Sequence, residues 1–96
     1  MKRILVVDDD RISLTVLTGY LEKQEYVVEN ADSGEKGLAA FANNRPDLVI
    51  SEVMMPGMDG FEFCCRLRAT REGQLVPFIF LSALGELDDR IERYKE

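Results

Sequence analysis

At 96 residues, with 46% apolar residues, 31% charged residues and three prolines, the chain has the composition of one globular domain with a modest core. A formal net charge of −6 repels phosphate backbones, which argues against direct nucleic-acid binding by this chain, and the lack of histidine excludes imidazole chemistry. No apolar run approaches the ~20 residues of a membrane span, and Met1-Lys2-Arg3 leads straight into Ile4-Leu5-Val6-Val7 without an export signal, so a cytoplasmic protein is expected.

Ile4 to Val7 is a short continuous apolar run ended by Asp8, Asp9 and Asp10, the pattern of a strand buried on both faces of a parallel sheet. The period then changes, and Ile12, Val16 and Tyr20 with Leu17 and Leu21 predict one face of a helix from about Arg11 to Gln24. Tyr26 to Glu29 reads as a second strand. Asp32-Ser33-Gly34-Glu35 has the Asp-x-x-Glu form of a capping box opening a second helix, which carries Leu38, Ala39, Phe41 and Ala42 toward the turn residues Asn43 and Asn44. Leu48 to Ile50 is a third strand ending at Ser51-Glu52. Asp59-Gly60-Phe61-Glu62 repeats the start signal, and Phe61, Cys64, Cys65 and Leu67 fit a third helix to about Arg71, closed by Gly73.

Val76 to Leu81 reads as a fourth strand, with Pro77 near its start where a missing donor is tolerated. Ser82-Ala83-Leu84-Gly85 then turns into a charged segment in which Glu86 with Arg90 and Asp89 with Arg93 pair at i,i+4. Cys64 and Cys65 are adjacent, about 3.8 Å apart at Cα and below the usual disulfide range of about 4.4 to 6.8 Å, so they read as reduced thiols. Strands alternating with helices over short connections imply right-handed βαβ units, and the expected fold is an open three-layer α/β sandwich.

In such sheets the functional crevice lies at the carboxyl ends of the strands. Asp8 and Asp9 end the first strand, Glu52 the third and Ser82 the fourth; if the first strand lies between the second and the third, the three carboxylates converge with Ser82 facing them. Clustered carboxylates require a cation, and all-oxygen ligation points to Mg²⁺, which would suit binding or transfer of a phosphoryl group. Taken singly, the same residues have plainer readings. Asp10 reads as a helix cap, Glu52 as a loop acid, Ser82 as a turn residue, and Met54, Met55 and Met58 as packing and loop residues. Pro56, Gly57 and Gly60 form a turn that lets the backbone approach the cleft.

VVDDD at 6 to 10, EVMMPGMDG at 52 to 60 and FLSA at 80 to 83, in that order, resemble the receiver domain of bacterial two-component response regulators across the whole chain. The resemblance implies a flavodoxin-like fold with strand order 2-1-3-4, phosphoryl transfer from a sensor histidine kinase to an aspartate ending the third strand, Mg²⁺ as cofactor, and an effector domain or protein downstream, often one that regulates transcription. Carried over by motif, Asp8 and Asp9 are the acidic pair, with Asp9 the more direct metal ligand. The backbone carbonyl of Met54 completes the metal site, and Ser82 is the switch hydroxyl.

The sequence departs from the family pattern at two points. Glu52 stands where the family has its acceptor aspartate, and it is expected to accept phosphate poorly while imitating part of the charge and reach of a phosphorylated aspartate. The second departure is length: the fifth strand and fifth helix, with the family's lysine, have no counterpart in residues 1–96. The fourth strand is then expected to present an apolar edge open to dimerisation or element swapping. Two further readings compete with a phosphorylation switch: a Mg²⁺-dependent phosphohydrolase using Asp8 as nucleophile, and a metal-free pseudo-receiver used for protein contacts.

Overall fold

The computed structural model describes residues 2–81 of the chain. Four parallel strands and three helices alternate: β1 (Arg3–Val7), α1 (Arg11–Lys23), β2 (Val27–Ala31), α2 (Gly34–Asn43), β3 (Leu48–Glu52), α3 (Gly60–Arg68) and β4 (Phe78–Leu81). The sheet order is β2-β1-β3-β4, the expected one. Ser82 and the charged segment with its two i,i+4 pairs lie outside the described residues.

β1 is apolar throughout its interior because it is central. Val7 is in register with Ala31 on one side and with Ser51 on the other, so both edges of the strand are paired. Its side chains alternate between two cores. Leu5 and Val7 join Val49, Phe41, Phe63 and Leu67 under α2 and α3, while Ile4 and Val6 join Ile50, Leu14 and Leu21 under α1. Helices therefore cover both faces, which gives the three layers expected of parallel βαβ units.

Several boundaries and faces differ from expectation. On α1 the packed stripe is Leu14, Leu17 and Leu21, whereas Ile12, Val16 and Tyr20 point outward at 77%, 67% and 60% exposure. Apolar residues occupy more than one face of this helix, and the expected stripe started on the wrong one. Packing onto the sheet selects the face, with Asp10 fixing where the helix begins. β2 starts one residue later than expected and runs on to Ala31, because Asn30 and Ala31 still pair with Val6 and Val7. In α2 the cap is Ser33 in place of Asp32. Its Oγ accepts from the Lys36 N–H at 3.1 Å, and Asp32 forms an exposed ion pair with Lys36 instead.

α3 buries Phe63 and Leu67, leaving Cys65 exposed and Cys64 half-buried as free thiols. It stops at Arg68, three residues early, where Thr70 donates its hydroxyl to the Leu67 carbonyl and accepts the Gly73 N–H. β4 is confined to Phe78–Leu81, since Pro77 ahead of it contributes only its carbonyl, which accepts from Val49. Phe61, Phe80, Phe78 and Phe63 follow one another at centroid separations of 5.0, 4.9 and 5.6 Å and fasten β4 to α3.

The β3-to-α3 loop is short-circuited at Gly60, whose N–H donates to the Val53 carbonyl at 2.8 Å. A Cβ on Gly60 would collide with the Glu52 carbonyl oxygen and lie 2.9 Å from the Val53 Cα, both backbone atoms that cannot swing aside. Gly60→Ala is thus expected to cost about 1–3 kcal/mol, the range for inserting atoms into a filled site. A urea melt in which this variant keeps the parent midpoint would contradict that account.

Candidate acidic site at the strand ends

The site starts where β1 leaves the sheet. The Asp8 N–H still pairs with the Ala31 carbonyl at 3.1 Å, which holds Asp8 at the strand end with the residue only 3% exposed. One Asp8 carboxylate oxygen accepts the Asp10 N–H at 2.9 Å. Asp10 in turn caps α1, its Oδ1 accepting from Ile12 at 3.0 Å and Ser13 at 3.3 Å, as its sequence position suggested. Asp9, between them, is exposed.

Burial pushes the Asp8 carboxyl above its ordinary value of 3.8; the Asp10 N–H pulls it back, and the Asp9 and Asp10 charges raise it again. A short strand of apolar residues ending in three aspartates thus places one of them in a poorly solvated spot.

At the end of β3, Ser51 is fully buried and its hydroxyl donates to the Glu52 carbonyl at 3.0 Å. The Glu52 side chain curls back on its own loop. Its Oε1 accepts the Val53 N–H at 2.8 Å and the Met54 N–H at 3.4 Å, and the Val53 N–H also lies 3.3 Å from the Leu81 carbonyl of β4. Met55 and Met58 are core residues beneath this loop and Met54 lies at the surface, consistent with packing and loop roles for all three. Asp59 caps α3 by accepting the Glu62 N–H at 2.8 Å.

The sequence reading missed the Val53 and Met54 amides and the Ser51 hydroxyl, which set the geometry around Glu52. Only the close approach demanded at Gly60 hinted at them. The structure brings Asp8, Asp9 and Glu52 to the same end of adjacent strands, as expected. It does not assemble them into a metal cage: among the described residues no three acidic side chains are placed to hold a metal ion together. The oxygen donors suit Mg²⁺ by type, but the expected three-carboxylate site is incomplete. Ser82 lies outside the described residues.

Because the folded state raises the Asp8 pKa, folding binds a proton between the ordinary and the raised value. Asp8 therefore favours folding most below about 3.8, and this advantage is lost as pH rises through the folded-state pKa. Asp8→Asn keeps an oxygen to accept the Asp10 N–H and has no charge to bury. Its thermal midpoint should exceed the parent's at neutral pH, with the gap closing as pH falls toward 3.8. Equal midpoints across that range would show that burial of the charge carries no cost.

The model of the response regulator receiver domain matches residues 4–96. Response regulator MprA of Mycobacterium sp. (strain KMS) is 45% identical over 89 residues, which are 93% of this chain and 38% of that protein. Transcriptional regulatory protein ResD of Bacillus subtilis (strain 168) is 37% identical over 93 residues, 97% of this chain and again 38% of the relative. The chain thus spans under two-fifths of the length of these relatives. The receiver domain of a sensor histidine kinase from Pseudomonas aeruginosa, solved with a magnesium ion in its active-site cleft, superposes with a TM-score of 0.86 at 28% identity, covering 94% of this chain and 74% of that one. With the family pattern running from the first strand to the last residue and the strand order matching, this chain belongs to the receiver domains of two-component response regulators.

Proposed function

We propose that this receiver domain signals without being phosphorylated, with the Glu52 carboxylate standing in for the anion that a phosphorylated aspartate would present. The observation that carries the reading is the pair of hydrogen bonds from the Val53 and Met54 amides to the Glu52 Oε1. Successive backbone N–H groups aimed at one point form an anion-binding concavity. The extra methylene of glutamate lets a tethered carboxylate fill it from within the chain. The same tether makes Glu52 a poor nucleophile, since a displacement of about 1 Å can cost on the order of 100-fold in rate.

In this reading a sensor histidine kinase is the ancestral partner, and an effector domain or protein, as in the transcriptional relatives, receives the signal in the cytoplasm. Ser82 is the hydroxyl that would respond to the anion. Asp8, Asp9 and the Met54 carbonyl are the donors assigned to Mg²⁺. With Glu52 engaged by its own loop, the domain is expected to bind the ion weakly. The phosphohydrolase alternative gains no support, because the Asp8 carboxylate is buried and already accepts the Asp10 N–H.

Incubation with acetyl phosphate and Mg²⁺, followed by intact mass, separates these readings. The parent chain is expected to remain unmodified, and Glu52→Asp is expected to gain one phosphoryl group. A stoichiometric, acid-labile phosphoryl group on Glu52 itself would rule the proposal out.

The outer edge of β4 gives the domain a second place for contacts. Among the described residues β4 pairs with β3 alone, and Ile79 on its α1-facing side is 50% exposed. We assign dimerisation or strand exchange of this 96-residue chain to that apolar edge. Sedimentation should show a concentration-dependent dimer that Ile79→Lys weakens, whereas a monomer at all concentrations would contradict the assignment.

A further inference from the structure

The acidic strand-end site is matched at the opposite pole of the molecule by a feature of opposite charge. The helices run antiparallel to the parallel strands, so the C-terminal ends of α2 and α3 lie far from Asp8 and Glu52. Between them is a cleft of about 540 Å³ whose accessible apolar floor is Leu38, Ala42 and Ala69, with the buried Phe41 and Leu67 beneath, and whose rim is Arg45, Arg66 and Glu72. A second hollow of about 510 Å³ shares Arg45 and Glu72 with it and continues past Arg71 to Leu75, whose side chain is 92% exposed.

The charges on this rim run against those of the chain. Overall there are 18 acidic residues against 12 basic ones, yet the two hollows together carry three arginines and a single glutamate. Arg66 is held by Glu62 at 2.9 Å. The Arg45 and Arg71 guanidinium groups take part in no hydrogen bond or ion pair among the described residues. Two uncommitted guanidinium forks beside an apolar floor complement carboxylates flanking an apolar anchor, since arginine pairs bidentately with carboxylates. The two hollows adjoin through their shared Arg45 and Glu72, which fits an extended or helical segment better than an enclosed small molecule.

We infer that the cleft between α2 and α3 is a docking groove for an acidic peptide segment of a partner protein, which seats an aliphatic or aromatic side chain on Leu38, Ala42 and Ala69 and places its carboxylates on Arg45 and Arg71. This surface is separate from the strand-end site, so it does not depend on how Glu52 behaves.

The test uses the isotope-labelled 96-residue chain and, as probe, a short acetylated peptide with leucine and phenylalanine anchors set between glutamates. Amide shifts are expected over residues 38–45 and 66–75. Arg45 and Arg71 are exposed, so Arg45→Glu/Arg71→Glu should keep the fold and weaken binding about tenfold or more. Ala42→Trp, which crowds the apolar floor without altering charge, should weaken it independently. The inference is overturned if the peptide does not bind, if its lysine-for-glutamate counterpart binds as well, or if neither variant changes the affinity. Binding of phosphatidylglycerol vesicles in place of the peptide would overturn it in favour of a membrane contact.

Discussion

The rest of the structure depends on the burial of β1 on all sides. Val6 and Val7 have no solvent exposure, both strand edges are paired, and helices lie above and below. A strand in that position tolerates polar side chains only where it emerges, so the aspartates gather at its carboxyl end. Because the neighbouring strands are parallel, β3 delivers its terminal side chain to the same end. The acidic site thus results from a parallel sheet with one strand at its centre.

Against that frame Glu52 has a local solution open to it. An aspartate at the end of β3 would project its oxygens one carbon less far from the backbone, whereas the glutamate is long enough to fold back to the N–H of the next residue. The loop supports this, because Gly60 closes it onto the Val53 carbonyl and the Ser51 hydroxyl occupies the Glu52 carbonyl. The Val53 and Met54 amides are therefore engaged from within the chain. Buried Asp8 with its raised pKa and the two engaged amides describe a site that balances charge largely through hydrogen bonds.

Charge is also distributed unevenly along the strand direction. The carboxyl ends carry Asp8, Asp9, Asp10 and Glu52, while Arg45, Arg66 and Arg71 surround the far end of the α2–α3 cleft. Part of this follows from helix electrostatics, since acidic residues are favoured at helix starts and basic residues at helix ends. Asp10, Asp59, Arg66 and Arg68 obey that rule. Arg45 and Arg71 lie beyond their helices, so the dipole alone does not account for them.

Much of the architecture was legible in the residues. The apolar run Ile4 to Val7, the start signals at Asp10 and Asp59, and the ordered acidic strand ends suffice for the element order, the parallel sheet and the family, because period, capping and turn chemistry are local properties. Three features were decided only by tertiary packing. α1 buries Leu14 and exposes Ile12, Val16 and Tyr20 because several apolar stripes compete and the sheet selects one. β2 runs to Ala31 because β1 supplies partners that no local pattern reveals. The Glu52 carboxylate turns to the Val53 and Met54 amides because the loop geometry that aims those donors exists only once Gly60 has closed against β3.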